Sequence, residues 1–219
     1  MQQCGILFFT NQIIADYDSN PNKIIYKNLD GHSLSKGMTM NFEWNAGNRL
    51  KALMGFTLQD VARVDRIDGK KKKQKPVLTE SWSGTWALSY HFPASAFSID
   101  YTGNLYGPMR LPLISQLDPR PGRSPVWSIQ NIQLTKKWKS QVEVYAGIKN
   151  LLNWTPAKNT PFIIVRAHDP FDKKVEWDAN GNLIPTAENP YALTFDPSYV
   201  YAPNQGLRFF AGVRCTLKK

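Results

Sequence analysis

The stretch Leu34 to Gln59, LSKGMTMNFEWNAGNRLKALMGFTLQ, decides the fold. Up to Trp44 its even positions (Leu34, Lys36, Met38, Met40, Phe42, Trp44) are mostly apolar, whereas Ser35, Gly37, Thr39, Asn41 and Glu43 between them are small or polar. After Ala46-Gly47-Asn48-Arg49 the alternation resumes, with Leu50, Ala52, Met54, Phe56 and Leu58 against Lys51, Leu53, Gly55, Thr57 and Gln59. A period of two marks a strand with one apolar and one polar face, and two such runs about a short turn make a hairpin.

The same period continues along the chain. Leu78, Trp82, Trp86, Leu88, Tyr90 and Phe92 oppose Ser81, Ser83, Thr85, Ala87 and Ser89; after Pro93-Ala94-Ser95, Phe97, Ile99, Tyr101 and Leu105 oppose Ser98, Asp100, Thr102 and Asn104. Val142, Val144, Ala146 and Ile148 form another such set, as do Leu207, Phe209, Ala211, Val213, Cys215 and Leu217. Within Pro125 to Trp138 the phase shifts between Ile129 and Ile132, which predicts a β-bulge. Ile6 to Tyr17 reads as a strand with mixed faces. Strands are therefore expected near residues 33–45, 49–60, 78–92, 96–106, 125–138, 141–151 and 206–217, about eight with the first one.

Connections alternate in length. Short ones fall at Ala46 to Arg49, Pro93 to Ser95 and Lys139 to Ser140; long ones cover Asp18 to Gly31, Val61 to Pro76, Gly107 to Ser124 and Asn153 to Gln205. A soluble β-sandwich has no reason to gather its long connections at one end, but an outer-membrane barrel has tight periplasmic turns and long extracellular loops. No apolar run among the 219 residues approaches the roughly 18 to 20 that a spanning helix needs, which excludes a helical membrane protein and leaves the barrel open. The reading is an all-β chain, an antiparallel outer-membrane β-barrel segment of about eight strands, with 153–205 as a long extracellular loop.

On this reading Leu50, Met54, Phe56, Trp86, Leu88, Ile99, Tyr101, Val144, Phe209 and Val213 face lipid, and Trp44, Phe92, Phe97, Tyr106, Trp127 and Trp138 are interfacial aromatics near strand ends. The net charge of +10 suits a polyanionic partner, but five lysines crowd into Lys70 to Lys75 and read as a solvated loop tip. Cys4 and Cys215 have no metal-binding spacing. Met1 to Gly5 lacks the basic and apolar regions of a signal peptide.

Three stretches carry a family resemblance: Tyr101-Thr102-Gly103-Asn104-Leu105-Tyr106-Gly107-Pro108-Met109-Arg110-Leu111-Pro112, Ser128 to Lys137, and Gly147-Ile148-Lys149-Asn150-Leu151-Leu152-Asn153. Together with Thr194 to Gly206, they resemble the carboxy-terminal barrel of TonB-dependent outer-membrane receptors of the Bacteroidetes-like type. The resemblance implies a parent barrel of about 22 strands filled by an amino-terminal plug. It implies energy-coupled uptake of a scarce small nutrient, of the ferric siderophore or cobalamin type, with outer-membrane lipid as surroundings and the TonB protein engaged only through the amino-terminal part. Plug and coupling box have no counterpart in these residues, so a truncated or excised piece is expected. The last strand ends on Cys215, Leu217 and two lysines, where the family usually ends on an aromatic.

No catalytic motif, phosphate loop or zinc spacing occurs, and neither enzyme activity, cofactor, metal nor nucleic-acid partner is expected. Asp178 to Asn182 has the wrong glycine position for a calcium loop and reads as a hairpin turn. Arg166, His168, Asp169, Asp172 and Lys173 are the concentrated polar groups of the long loop and the candidate ligand contacts. Competing readings are a soluble β-sandwich that binds glycans or anions and a closed eight-stranded pore or adhesin.

Overall fold

The alternating runs pair into one antiparallel sheet. The computed structural model describes residues 2–16, 25–67, 69–111, 121–138, 141–156, 176–180, 183–188 and 201–216. The strands are β1 (Gln2–Thr10), β2 (Ile13–Asp16), β3 (Ile25–Asn28), β4 (Gly31–Ala46), β5 (Leu50–Ile67), β6 (Lys70–Gln74), β7 (Trp82–Phe92), β8 (Phe97–Tyr106), β9 (Trp127–Trp138), β10 (Val142–Lys149), β11 (Glu176–Trp177), β12 (Leu183–Ile184) and β13 (Arg208–Cys215). The main sheet has nine strands, in the order β1-β4-β5-β7-β8-β9-β10-β13, with β6 on the far end of β5; β2–β3 and β11–β12 are separate hairpins.

Register carries the amphipathic pattern from strand to strand without a slip. One ladder level runs through Ala46, Leu50, Tyr90, Ile99, Leu134, Ala146 and Ala211. Each of these residues shares a face with its partners, so Phe42, Met54 and Trp86 stand beside one another, as do Leu88, Tyr101, Ile132, Ile148 and Phe209. Ser, Thr, Asn and Gln side chains fill the other face and bond to one another. Thr39 Oγ1 lies 3.2 Å from Thr57 Oγ1, Ser89 donates to Asp100 at 2.6 Å, and Asn131 donates to Thr102 at 3.3 Å. The short turns step along this ladder: the β4–β5 turn closes at the level of Leu50, the β7–β8 turn two residues further on at Phe92 and Phe97, and the β9–β10 turn two beyond that at Trp138 and Val142. Such a stagger is what tilts strands and curls a sheet toward a barrel.

Glycines make room for large rings on both faces. A Cβ at Gly103 would come within 2.2 Å of the Trp86 indole, and one at Gly147 within 2.5 Å of the Phe210 ring, so each aromatic covers the backbone of its cross-strand glycine.

The buried core lies on the polar face, at the end of the long connections. Met109, Leu111, Trp127, Tyr201 and Ala202 are buried together, with Leu78, Tyr106, Ile129 and Trp154 packed against them. Tyr106 stacks on Trp127 at 4.3 Å between ring centroids, and Trp127 on Trp154 at 5.4 Å. Below this core the Lys149-Asn150-Leu151-Leu152-Asn153 segment turns through two left-handed residues, Asn150 at φ 53° and Asn153 at φ 49°. Their amides tie the turn together. Asn150 Nδ2 donates to the carbonyls of Trp154 (2.6 Å) and Gln205 (2.9 Å), its Oδ1 accepts from the Trp154 N–H (3.0 Å), and Asn153 Oδ1 accepts from the Leu207 N–H (2.9 Å). The segment is thus a clasp between β10 and β13.

Several expectations are corrected. No bulge interrupts β9: its pairing with β8 is continuous from Trp127 to Lys136. Trp127 and Ile129 are apolar because the aromatic core covers the polar face there, so the sequence changes phase while the backbone does not. Accordingly Tyr106 and Trp127, expected as interfacial aromatics, lie on the opposite face from Trp44, Phe92, Phe97 and Trp138, and Trp127 is buried. The first strand stops at Thr10, where Asn11 turns left-handed at φ 54°, and the link assigned to Asp18–Gly31 contains β3. The lysine run is a strand: β5 continues to Ile67 and returns as β6, with Gly69 at φ 73° in the turn. Strand β7 starts at Trp82, because Leu78 takes φ 56°. Trp177 pairs with Leu183 in the β11–β12 hairpin, and the Asn180 N–H donates to Asp178 Oδ1 at 2.8 Å; Gly181 and Asn182 of the expected turn lie outside the described residues.

No second sheet covers the apolar face among the described residues; Phe8, Phe42, Trp138, Phe209 and Val213 are exposed there. Nor do β1 and β13 pair with each other; they are the two edges of an open sheet, and Cys4 and Cys215 are free.

Replacing Asn150 by Ala removes the clasp's hydrogen bonds and disfavours its backbone, and should lower stability by about 2 to 4 kcal/mol. Asn150→Gly keeps the backbone freedom and should lose less. Urea unfolding of the chain refolded in lipid vesicles compares them.

Candidate functional site: a cationic cleft on the polar face

At the end away from the short turns, β5 extends beyond its pairing with β7 and meets three other segments. Arg63 and Asp65 project from its polar face; Lys72 and Gln74 stand opposite them on β6. The β2–β3 hairpin adds Asp16, Lys27 and Leu29, and the strand-like crossing of Arg110 with Arg123 adds Arg110. Together with Ile14, Lys75 and Pro76 they line a cleft of about 220 Å³. Five cationic side chains and two carboxylates line it.

The aromatic core positions one wall of this cleft. Met109 and Leu111, both buried, flank Arg110 and bury their side chains among Trp127 and its neighbours. Backbone bonds hold the segment on both sides: the Leu78 N–H donates to the Arg110 carbonyl at 2.8 Å, and the Ser124 N–H to the Met109 carbonyl at 2.9 Å. The Met109 N–H also donates to Ser124 Oγ at 2.9 Å. Arg110 Nη1 donates to the Lys75 carbonyl at 3.1 Å, linking this wall to the end of β6.

The carboxylates serve a lysine. Lys27 Nζ lies 2.9 Å from Asp16 Oδ2 and 3.4 Å from Asp65 Oδ2, which fastens the β2–β3 hairpin to β5. The hydrogen bond that Lys27 donates to Asp16, aided by the charges of Asp16 and Asp65 and opposed by partial burial, raises the Lys27 pKa above its ordinary 10.5. Asp16 and Asp65 are thus occupied by Lys27, while Arg63 and Lys72 form no ion pair with a described residue. The surplus charge of the cleft is positive, and a small anion fits its electrostatics.

None of these cleft residues stands out in the sequence, because each comes from a different segment. The one available signal is Arg110 within the Tyr101–Pro112 stretch. The loop residues named from the sequence, Arg166, His168, Asp169, Asp172 and Lys173, lie outside the described residues. The ten expected lipid-facing residues all fall on the same, apolar face of the sheet. Among the described residues, no group of three or more His, Cys, Asp or Glu side chains is placed to hold a metal ion.

With this geometry in hand, solved structures of similar shape become informative. The ferric-catecholate import receptor Fiu from Escherichia coli K12 matches 70% of the chain with a TM-score of 0.51 at 14% identity, over 20% of its own length. The siderophore receptor PiuA from Acinetobacter baumannii matches 70% at TM-score 0.52 and 12% identity, over 22% of its length. The ferripyoverdine receptor of the Pseudomonas aeruginosa outer membrane matches 70% at TM-score 0.50 and 12% identity, over 21% of its length. The chain therefore has the fold of one wall of an outer-membrane receptor barrel and spans about a fifth of such a structure. No family model matches the sequence, and no curated protein matches it.

Because the Lys27 pKa is raised, the stabilisation from its ion pairs is complete below the ordinary lysine value and fades only as pH climbs through the raised one. Carbon-13 titration of the Lys27 side chain should give a midpoint above 10.5, which Asp16→Asn returns toward that value.

Proposed function

We propose that this chain is the carboxy-terminal wall of a TonB-dependent outer-membrane receptor that imports a small, anionic, scarce nutrient, of the ferric siderophore class. The observation that carries the reading is the unbroken division of the sheet into an apolar and a polar face, with the tight turns at one end and the cationic cleft at the other. An apolar face of this extent, left uncovered by the described residues, suits the bilayer interior, and the polar face then lines the lumen. Trp44, Phe92, Phe97 and Trp138 collect on the outward face beside the tight turns, where a periplasmic aromatic girdle belongs. Lys136 fits the same layer. Its ammonium lies 5.9 Å from the Trp138 ring and bonds the Ser95 carbonyl in the turn, reaching for the interface from the outward face.

The ligand class follows from the cleft. A ferric catecholate is an anion, and Arg63 and Lys72 offer it charge that the cleft's own carboxylates do not neutralise. TonB engages the parent receptor through its amino-terminal part, and the cell outer membrane is the location. Arg166, His168, Asp169, Asp172 and Lys173 of the long loop are proposed as further contacts to the same ligand.

Facing is tested with adjacent residues. In a Cys4→Ser, Cys215→Ser background in lipid vesicles, a cysteine at Phe209 should resist a water-soluble maleimide while one at Phe210 reacts; equal labelling would refute the membrane reading. Phe209→Arg should destabilise the inserted chain by about 2 to 4 kcal/mol if the residue lies near mid-bilayer. For the ligand, Arg63→Gln with Lys72→Gln should weaken binding of an iron tris-catecholate and leave a neutral iron hydroxamate unaffected.

A further inference from the structure

The polar face of the sheet is not uniform. Across β4, β5, β7 and β8 it carries small groups such as Thr39, Thr57, Ser89 and Thr102, which bond across or along the strands. On β10 and β13 the same face carries two rings, Tyr145 and Phe210, and three cations, Lys149, Arg208 and Arg214. The charges at the two ends of this ladder differ. Glu143 stands opposite Arg214 and pairs with it at 3.7 Å, whereas Lys149 stands opposite Arg208. Like charges placed directly across an antiparallel pair oppose its formation. Lys149 and Arg208 are exposed, and neither is in an ion pair with a described residue.

Between these two charge pairs lie the rings. Phe210 stands opposite Gly147 and Tyr145 opposite Gly212, and a Cβ at either glycine would come within 2.5 Å of the side chain across from it. Each ring therefore lies down over the backbone of the neighbouring strand. Their centroids are 6.3 Å apart, and both rings keep part of their surface exposed. Lys149 Nζ is 5.5 Å from the Phe210 centroid, so the unneutralised charge adjoins the ring. The clasp holds this geometry, because Lys149 precedes Asn150 and Arg208 follows Leu207, whose N–H donates to Asn153. Covering a glycine accounts for the rings, as it does for Trp86 over Gly103, but not for a like-charged pair set beside them.

A flat ring flanked by two cations is complementary to a planar ring that itself carries negative charge. Stacking orients such a ring, and the cations, which repel each other in the bare wall, take its anionic edge. We infer that Lys149, Arg208, Phe210 and Tyr145 form a second subsite, for an anionic aromatic group of the catecholate or benzoate kind, deeper on the lumenal wall than the cleft. The tight turns define one level from which depth is counted. Val142, at the β9–β10 turn, is seven residues from Lys149, and Leu50, at the β4–β5 turn, is thirteen from Arg63. At a rise of about 3.3 Å per residue and a tilt of about 40°, the subsite is roughly 15 Å nearer the turns than Arg63 is. Strands β7, β8 and β9 separate the two sites, which share no residue. The inference rests on the membrane reading above for its lumenal facing, and it gives an aromatic anion leaving the cleft a further station toward the periplasmic end.

The test titrates small molecules into the full chain, labelled with nitrogen-15 glycine and held in phosphatidylcholine nanodiscs, and follows the amide resonances of Gly147 and Gly212. Protocatechuate, a catechol carboxylate, should shift both resonances saturably. Cyclohexanecarboxylate, which has the charge without the aromatic ring, and neutral catechol, which has the ring without the charge, should each bind roughly fivefold more weakly or less well still. Lys149→Gln with Arg208→Gln should weaken protocatechuate about tenfold, and Phe210→Leu should erase the preference for the aromatic acid. The cleft pair Arg63→Gln, Lys72→Gln should leave the response of both glycines unchanged. Equal binding of the three probes, an unaffected Lys149 and Arg208 double variant, or displacement by equimolar oligoglutamate, the mark of a site for an acidic protein segment, would overturn the assignment. Equal maleimide labelling of cysteines at Phe209 and Phe210 refutes the membrane reading itself, whereas unequal labelling without a preference for the aromatic acid refutes the subsite alone.

Discussion

The structure depends on one ladder kept in register across eight strands. Because side chains alternate with a period of two, a slip of one residue between any two strands would move a whole row of apolar groups to the polar face. Nothing of the kind occurs between Ala46 and Ala211, although the ladder crosses three tight turns and three long connections. The turns fix the register locally. Gly47 at φ 60° and Ala96 at φ 51° supply the left-handed residues that reverse the chain at the β4–β5 and β7–β8 turns. The polar side chains then add cross-strand bonds, and the aromatic–glycine pairs make a shifted register sterically expensive.

Strand existence, and which residues share a face, were legible in the residues because period-two alternation is a local property. Where the reading failed, a non-local contact had changed the meaning of an apolar residue. Trp127 and Ile129 imitate a bulge because a core assembled from Met109, Leu111, Trp154 and Tyr201 covers the polar face at that height. Lys70 to Lys73 imitate a loop tip because their composition is that of a solvated turn, while the strand is imposed by pairing with Arg63 to Ile67. The cleft could not be read, since Asp16, Lys27, Arg63, Lys72 and Arg110 are brought together only by the crossing of four segments.

The Lys149 to Asn153 stretch shows why a short motif can be recognisable without carrying chemistry. Two asparagines adopt left-handed backbone that most residues avoid, and the same side chains bond the carbonyls and amides that the turn leaves open. Asn150 reaches Gln205 and Asn153 reaches Leu207, so the start of the last strand is fixed by the end of the previous one across more than fifty residues of connection. That fixes β13 on β10, and it brings Tyr201 and Ala202 into the core that supports Arg110. Fold and cleft therefore share a single anchoring point, although no residue of the clasp lines the cleft.

The two edges set the remaining condition on the structure. Strand β1 offers nine exposed residues, with Ile6 and Phe8 on one face and Leu7 and Phe9 on the other, and β13 offers six. An edge that is long, apolar and unprotected is a template for further pairing and does not persist alone in water. In a bilayer the demand is stricter, because unpaired backbone groups have no water to turn to. Stagger answers the same demand geometrically. Each hairpin is displaced by two residues from the one before, so the sheet is already tilted as closure requires, and additional strands continuing that step would bring β1 and β13 into a closed wall. On the proposed reading, stagger, edges and apolar face are met by the same completion, a larger barrel set in lipid.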